Sequence, residues 1–256
     1  MKLCRFELIQ DPGVSRSGIF FDHRVYETDG ENAIGVHELG KVAFLAPIGR
    51  VGSIRRYSRT AETLYSLYGN PTTVLPSQSE VDVPPDALTL MPEVRVGAII
   101  REVGDRIGRE EAGGFILGLV PTIGLVSAEL EAAERASGLP PSSSVDFPLA
   151  VGPLLTTPDE LEGKRDGTED ARYRLDVALS VNGEEVAKTT WSMPVAFEEL
   201  VVSASRHVWV EPGDMLLSPP VPLPPLDETR LARALRPSDT VSASVEELGA
   251  VVLRLV

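Results

Sequence analysis

Chemistry in proteins starts with side chains that can donate, accept or coordinate, and this 256-residue chain is short of the most versatile ones. It holds three histidines (His23, His37, His207) and a single cysteine, Cys4. Sites that need a His pair or a triad therefore have few ways to be built, and one cysteine makes neither an intramolecular disulfide nor a Cys-based zinc cluster. No basic cluster lies beside Cys4 to lower its pKa, so a small apolar strand residue is favoured over a nucleophile. There is no G-x-S-x-G, no G-x-x-x-x-G-K-[ST], no H-E-x-x-H and no G-x-G-x-x-G, which removes the cheapest support for serine hydrolases, nucleotide hydrolases, zincins and Rossmann enzymes. Asp166-Gly167-Thr168-Glu169-Asp170 resembles a calcium loop only in its acidity and reads as a solvated turn. Pro219–Pro225 has polyproline II character; a stiff loop between strands is favoured over a ligand for an aromatic groove.

The elements that must position any site read as short strands joined by tight turns, from 22 Gly, 21 Pro and abundant Val and Leu. Residues 1–46 look like a small N-terminal β subdomain with a turn at Asp29-Gly30, and 47–256 like the main domain, entered through a linker over Pro47 and Gly49–Ser53. Leu64, Leu67 and Tyr68 predict a helix over Ala61–Tyr68, ended by Gly69-Asn70-Pro71. A Pro-rich stretch over Val81–Leu90 leads into Val94–Arg101, a strand buried on both faces, and Phe115–Val126 reads as a second buried run broken at Pro121. Ser127–Ser137 predicts a helix capped by its serine and stopped at Gly138. Tyr173–Val181 alternates apolar and polar residues ahead of Asn182-Gly183, which predicts a hairpin returning through Val186 to Trp191. A short helix over Phe197–His207, a strand at Met215–Leu217 and a terminal strand pair over Asp239–Val256 complete the reading.

Charge narrows the function classes. Lys and Arg number 24 against 38 Asp and Glu, a formal net charge of −14. Without a basic run, binding to nucleic acid or to an anionic membrane surface is not expected, because both draw affinity from clustered positive charge. No signal-peptide or spanning apolar run is evident, so the cytoplasm is the expected location.

Several segments taken in order resemble the fumarylacetoacetate hydrolase family. Pro92-Glu93-Val94-Arg95-Val96-Gly97-Ala98-Ile99-Ile100 is similar to its D-Y-E-x-E-L-A-x-V-I strand, and Leu125-Val126-Ser127-Ala128 to D-V-S-A. Gly152-Pro153-Leu154-Leu155-Thr156-Thr157-Pro158-Asp159-Glu160-Leu161 resembles G-P-x-L-V-T-P-D-E-L. Val181-Asn182-Gly183-Glu184, Glu211-Pro212-Gly213-Asp214 and Leu235-Arg236-Pro237-Ser238-Asp239 are similar to V-N-G-E, E-P-G-D and L-K-P-G-D. The resemblance implies an α+β, mostly β fold, a mixed β-sandwich roll with a small N-terminal β subdomain, as a homodimer. It also implies three carboxylates holding Mg²⁺ or Mn²⁺ and a 1,3-dicarbonyl or 2-oxo acid substrate, whose enolate a hard cation stabilises.

Carried over position by position, most of that site is replaced. Glu93 is kept, but its pair partner is Arg95, a fixed cation that opposes a divalent metal. The aspartate falls on Leu125. The N-Y-R-D-H-x-x-E segment falls on Arg56-Tyr57-Ser58-Arg59-Thr60-Ala61-Glu62-Thr63, where Thr60 replaces the histidine and Glu62 stands one residue from the glutamate position. The K-S-F-D segment falls on Ser143-Ser144-Val145-Asp146, and the T-G-T-P loop on Ser218-Pro219-Pro220-Val221. The expected catalytic residues are Glu93, Arg95 and Asp146; the expected substrate-binding residues are Arg56, Arg59, Thr60, Glu62, Leu125, Ser143 and Ser218. No metal or other cofactor is expected. Arg95, with Arg56 or Arg59, would meet an acidic or enolate substrate, and an apolar lining by Ile123, Leu125, Pro219, Pro220 and Val221 would suit a larger ligand than a short dicarboxylate. This reads as lyase, isomerase, decarboxylase or cyclase chemistry on a small carbonyl molecule. The alternatives are an inactive ligand-binding or partner subunit, and a structural Glu93–Arg95 ion pair in a filled cavity.

Overall fold

The computed structural model describes residues 1–83, 89–167 and 172–256. Part of the expected Pro-rich stretch (84–88) and the Thr168-Glu169-Asp170 portion of the acidic turn lie outside them.

Strands dominate. They run β1 (Lys2–Leu8), β2 (Asp11–Phe21), β3 (Arg24–Thr28), β4 (Ala33–Glu38), β5 (Val42–Phe44), β6 (Ile54–Arg59), β7 (Leu64–Gly69), β8 (Val74–Pro76), β9 (Ser79–Val81) and β10 (Leu90–Ile100). After helix α1 (Arg109–Ala112) come β11 (Ile116–Ser127), α2 (Ala128–Ala136), β12 (Leu149–Val151), β13 (Leu154–Thr156), β14 (Arg174–Val181) and β15 (Glu184–Ser192). Helix α3 (Phe197–Ser205), β16 (Met215–Leu217), β17 (Thr240–Val245) and β18 (Gly249–Leu255) end the chain.

Among the described residues these strands form two mixed sheets. The larger runs β4-β3-β2-β1-β13-β11-β10-β16-β6-β7, with β5, β8 and β12 attached at its side, and the smaller runs β15-β14-β17-β18-β9. The main apolar core joins Val94, Leu119 and Leu125 of the first to Val177, Val241 and Leu253 of the second, as burial of two inner faces in a sandwich requires. A separate small cluster of Cys4, Phe6, Val25 and Val42 fills the N-terminal strands, while β1 pairs with both β5 and β13. Burial pushes the Cys4 thiol up to about 12, in keeping with a packing role. No helix of the described residues is long and apolar enough to cross a membrane.

Local expectations meet the structure unevenly. Asn182 and Gly183 both take positive φ (55° and 82°) between β14 and β15, as a two-residue hairpin turn of that handedness requires. Ser127 caps α2 by accepting a hydrogen bond from the Leu130 N–H, and Gly138 ends it at φ 71° with its N–H on the Arg135 carbonyl. The helix expected over Ala61–Tyr68 is instead a turn and strand β7, because β6 offers a partner from Ile54↔Gly69 to Arg59↔Leu64. Pairing overrides a three-to-four spacing spread over only eight residues. Nor does Pro121 break its run: β11 passes through it, opposite Val96. Its carbonyl accepts from the Gly152 N–H on the far side of the strand, so its nitrogen also points away from β10. It stands where β11 changes partner from β13 to β12, a place where a missing donor costs no ladder bond.

Candidate functional site

Strand β6 is the positioning element. Successive side chains of a strand point to opposite faces, and here the two faces have different tasks. Arg55, Tyr57 and Arg59 face α3 and the segment before it: Arg55 donates to the Ala204 carbonyl, the Tyr57 hydroxyl to the Leu200 carbonyl at 3.0 Å, and Arg59 to the Pro194 carbonyl at 3.1 Å. Ile54, Arg56 and Ser58 face the other way. Arg56 and Ser58, with Tyr65 and Leu67 from β7, line a cleft of about 610 Å³. Its other walls come from Met91–Arg95 of β10, the start of α2, Leu139–Pro141, and the Pro220–Leu226 run.

Glu93 and Arg95 lie on the cleft face of β10. The Arg95 guanidinium grips the Glu93 carboxylate with Nε at 2.5 Å from Oε1 and Nη2 at 3.0 Å from Oε2. Its Nη1 donates to the Tyr57 and Ser218 carbonyls at 2.6 and 2.7 Å. Arg95 is thus largely committed to the protein, tying three strands' worth of backbone to one carboxylate.

Arg56 is the contrasting case. Its side chain is only 6% exposed, and its buried Nε and Nη1 make no hydrogen bond among the described residues. Nη1 stands 3.8 Å from Glu93 Oε1, beyond hydrogen-bond length. The guanidinium lies over Gly124, whose Cβ, were there one, would sit 3.7 Å from Nη2. Gly124 is directly opposite Glu93 in the β10–β11 ladder, so the guanidinium packs on the β11 backbone beside the carboxylate. Burial lowers the Arg56 pKa; the Glu93 charge opposes that, Arg95 reinforces it and Asp146 opposes it. A guanidinium stays charged through such a change, leaving a buried cation with unused donors at the cleft.

A second cleft of about 400 Å³ shares Arg56, Leu67, Pro140, Pro141 and Val145 with the first and adds Asn70, Thr73, Ser142, Ser143 and Asp146. The wall between them, Pro140–Asp146, is held from outside. Glu134 of α2 accepts hydrogen bonds from the N–H groups of Ser142 (3.0 Å), Ser143 (2.7 Å) and Ser144 (3.4 Å), and from the Ser144 hydroxyl at 2.5 Å. These bonds, the Ser144 hydroxyl foremost, hold the Glu134 carboxyl below the usual range.

The expected site residues separate accordingly. Arg56, Glu93 and Arg95 converge on the first cleft; Ser143 and Asp146 line the second beside Arg56. Arg59 points to the opposite face of β6. Thr60 and Glu62 lie in the exposed β6–β7 turn, where the Thr60 hydroxyl accepts from the N–H groups of Thr63 and Glu62. Leu125 and Ile123 are fully buried in the main core; alternation puts Leu125 on the face away from Gly124. Ser218 is buried and spent on backbone, accepting from the Val96 N–H at 3.1 Å and donating to the Pro219 carbonyl at 2.8 Å. Ser58, Tyr65, Leu67 and Met91 were not anticipated: their signal is the period-2 face of the β6–β7 hairpin and β10, hidden while Ala61–Tyr68 reads as a helix.

The donors present do not fit a divalent cation. Such an ion takes several oxygen ligands, yet no three His, Cys, Asp or Glu side chains converge among the described residues. The cleft's Glu93 is already gripped by one guanidinium and approached by another. What the arrangement can do is hold an organic anion on Arg56 and present a carboxylate beside it.

Comparison with known proteins agrees with this architecture. The family model described as fumarylacetoacetate (FAA) hydrolase C-terminal matches residues 41–256. A 2,4-didehydro-3-deoxy-L-rhamnonate hydrolase of Sphingomonas sp. (strain SKA58) is 27% identical over 158 residues, 61% of this chain and 52% of that protein. The chain thus aligns with about half the length of this curated relative. Among solved structures, a 5-carboxymethyl-2-hydroxymuconate delta-isomerase from Mycobacterium smegmatis superposes with a TM-score of 0.76 at 18% identity, covering 100% of this chain and 98% of that one. A fumarylacetoacetate hydrolase from psychrophilic Exiguobacterium antarcticum gives 0.75 at 19% identity, with 100% and 99% coverage. At such identities the likeness is one of fold.

Proposed function

The chain belongs to the fumarylacetoacetate hydrolase family, and from that premise we propose that it binds and transforms a small enolisable carbonyl acid, with Arg56 in the role of the cation. The proposal rests on one observation: a buried guanidinium at the cleft with Nε and Nη1 unbonded. A buried cation without hydrogen-bond partners is costly, and an anionic ligand in the cleft offsets its charge. A 2-oxo acid presents its carboxylate and the neighbouring carbonyl oxygen side by side, matching a guanidinium fork. Glu93 stands next to that fork and is the proton acceptor of this reading. It takes a proton from the carbon next to the carbonyl, the electron pair moves onto the carbonyl oxygen, and Arg56 stabilises the enolate. Arg95 is a positioning residue that fixes Glu93.

The test uses acetylpyruvate, a small 1,3-dicarbonyl acid, in the presence of EDTA. Calorimetric binding and faster keto–enol interconversion, followed by enol absorbance, are expected with the wild type, and both are expected to fall at least tenfold in Arg56→Met. Turnover that appears only on adding Mg²⁺ or Mn²⁺ would overturn the metal-free reading. Binding without turnover would replace catalysis by a ligand-binding role.

A further inference from the structure

The two clefts are lobes of one trough, because both are lined by Arg56, Leu67, Pro140, Pro141 and Val145, and the lobes differ in chemistry. The larger is walled by Met91, Val221, Leu223 and Leu226, with Pro220, Pro224 and Pro225 among them. The Pro219–Pro225 run, legible as a stiff segment in the sequence, is therefore an apolar wall. It is pinned to β10 by the Val221 N–H on the Val94 carbonyl at 2.9 Å, and proline rings hold its shape without a closing motion. The smaller lobe carries Asn70, Thr73, Ser142, Ser143 and the exposed Asp146.

Charge adds a second constraint. The described lining residues of the trough include three arginines, Arg56, Arg95 and Arg135, and three carboxylates, Glu93, Glu131 and Asp146. Arg95 is bonded to Glu93, and Arg135 to Glu131 at 2.9 Å. Arg56 is the buried arginine whose guanidinium makes no hydrogen bond among the described residues, whereas Arg135 lies exposed at the rim, its side chain 78% accessible.

We infer that the ligand is a monoanionic carbonyl acid with a hydrocarbon or aromatic arm, and not a dicarboxylate: its acid group sits beside Arg56 and its arm lies along the Pro220–Leu226 wall, where a second carboxylate would be desolvated against proline and leucine side chains. This rests on the anion-site reading of Arg56 and adds the substrate class to it. Each methylene buried on the wall is worth about 0.8 kcal/mol, roughly a fourfold gain in affinity.

Calorimetry of the full-length protein with pyruvate, 2-oxopentanoate, 2-oxooctanoate and 2-oxoglutarate, all in EDTA, tests it. Affinity is expected to rise severalfold per methylene along the monoacids, and 2-oxoglutarate to bind at least tenfold more weakly than 2-oxopentanoate. Leu223→Ser is expected both to flatten the series and to narrow the dicarboxylate penalty. The wild-type ratios decide the matter even if a variant fails to fold. Equal affinity along the monoacids, or tighter binding of 2-oxoglutarate, overturns the inference while leaving Arg56 as an anion site. Failure of every probe to bind, or binding unchanged in Arg56→Met, overturns the anion site itself.

Discussion

Glu93 and Arg95, two residues apart on one strand, close a two-point ion pair on the cleft face of β10, and the free Nη1 of that arginine ties down the carbonyls of Tyr57 and Ser218. One side chain so joins the catalytic candidate, the strand that carries Arg56 and the head of the proline wall. Removing a partner from a buried pair leaves the other charge uncompensated. Arg95→Met is expected to cost about 3 to 5 kcal/mol in urea unfolding, and Arg95→Lys to recover little of it because an ammonium lacks the fork.

Arg56 should show the opposite balance. Its burial without hydrogen-bond acceptors makes it a burden on the free protein, and Glu93 keeps Arg95 as its partner, so Arg56→Met is expected to leave stability unchanged or raise it by up to about 2 kcal/mol. The same variant loses acid binding. Thermal melts with and without pyruvate check both: ligand raises the wild-type midpoint and not the variant's.

Glu134 acts on the site through the wall it holds. Glu134→Gln is expected to speed hydrogen exchange at the Ser142, Ser143 and Ser144 amides and to weaken acid binding severalfold, with little change in global stability. Because those bonds hold its carboxyl below the usual range, the folded-state pKa is depressed. The staple is fully formed above the unfolded value and is lost as pH falls through the lower one, so exchange should rise only in acid.

Asp239 supplies an acid limb to stability. Arg233 first, then Asn182 and the Arg236 N–H, bring its carboxyl from 3.8 to about 2, against the opposing effect of burial. A depressed carboxylate stabilises above its unfolded pKa and ceases to do so as protonation reaches the folded one. Roughly 2 kcal/mol is expected to disappear between about pH 4 and pH 2, and Asp239→Asn should lack that part of the pH profile.

Cys4 should be silent in the native state. With its thiol raised to about 12 by burial, reaction with a thiol reagent at pH 8 is expected only after urea unfolding.

What the sequence determined by itself is local or compositional. Alternation and turn chemistry placed the Asn182-Gly183 hairpin, capping chemistry placed α2, and apolar runs placed β10 and β11, though with a break expected at Pro121 that the strand does not have, because each depends on neighbours along the chain. The family resemblance added the fold and singled out Glu93, Arg95, Arg56 and Asp146. The tertiary structure decided which of these can act. Arg56 and Arg59 look alike in sequence, yet strand parity, fixed only once β6 pairs with β7 and β16, turns one into the cleft and the other toward α3. Parity likewise sends Leu125 to the core and leaves Gly124 opposite Glu93. The ion pair that occupies Arg95, and the lack of any acceptor among the described residues for buried Arg56, depend on carbonyls as distant as Ser218, and no reading of residue types along the chain contains that geometry.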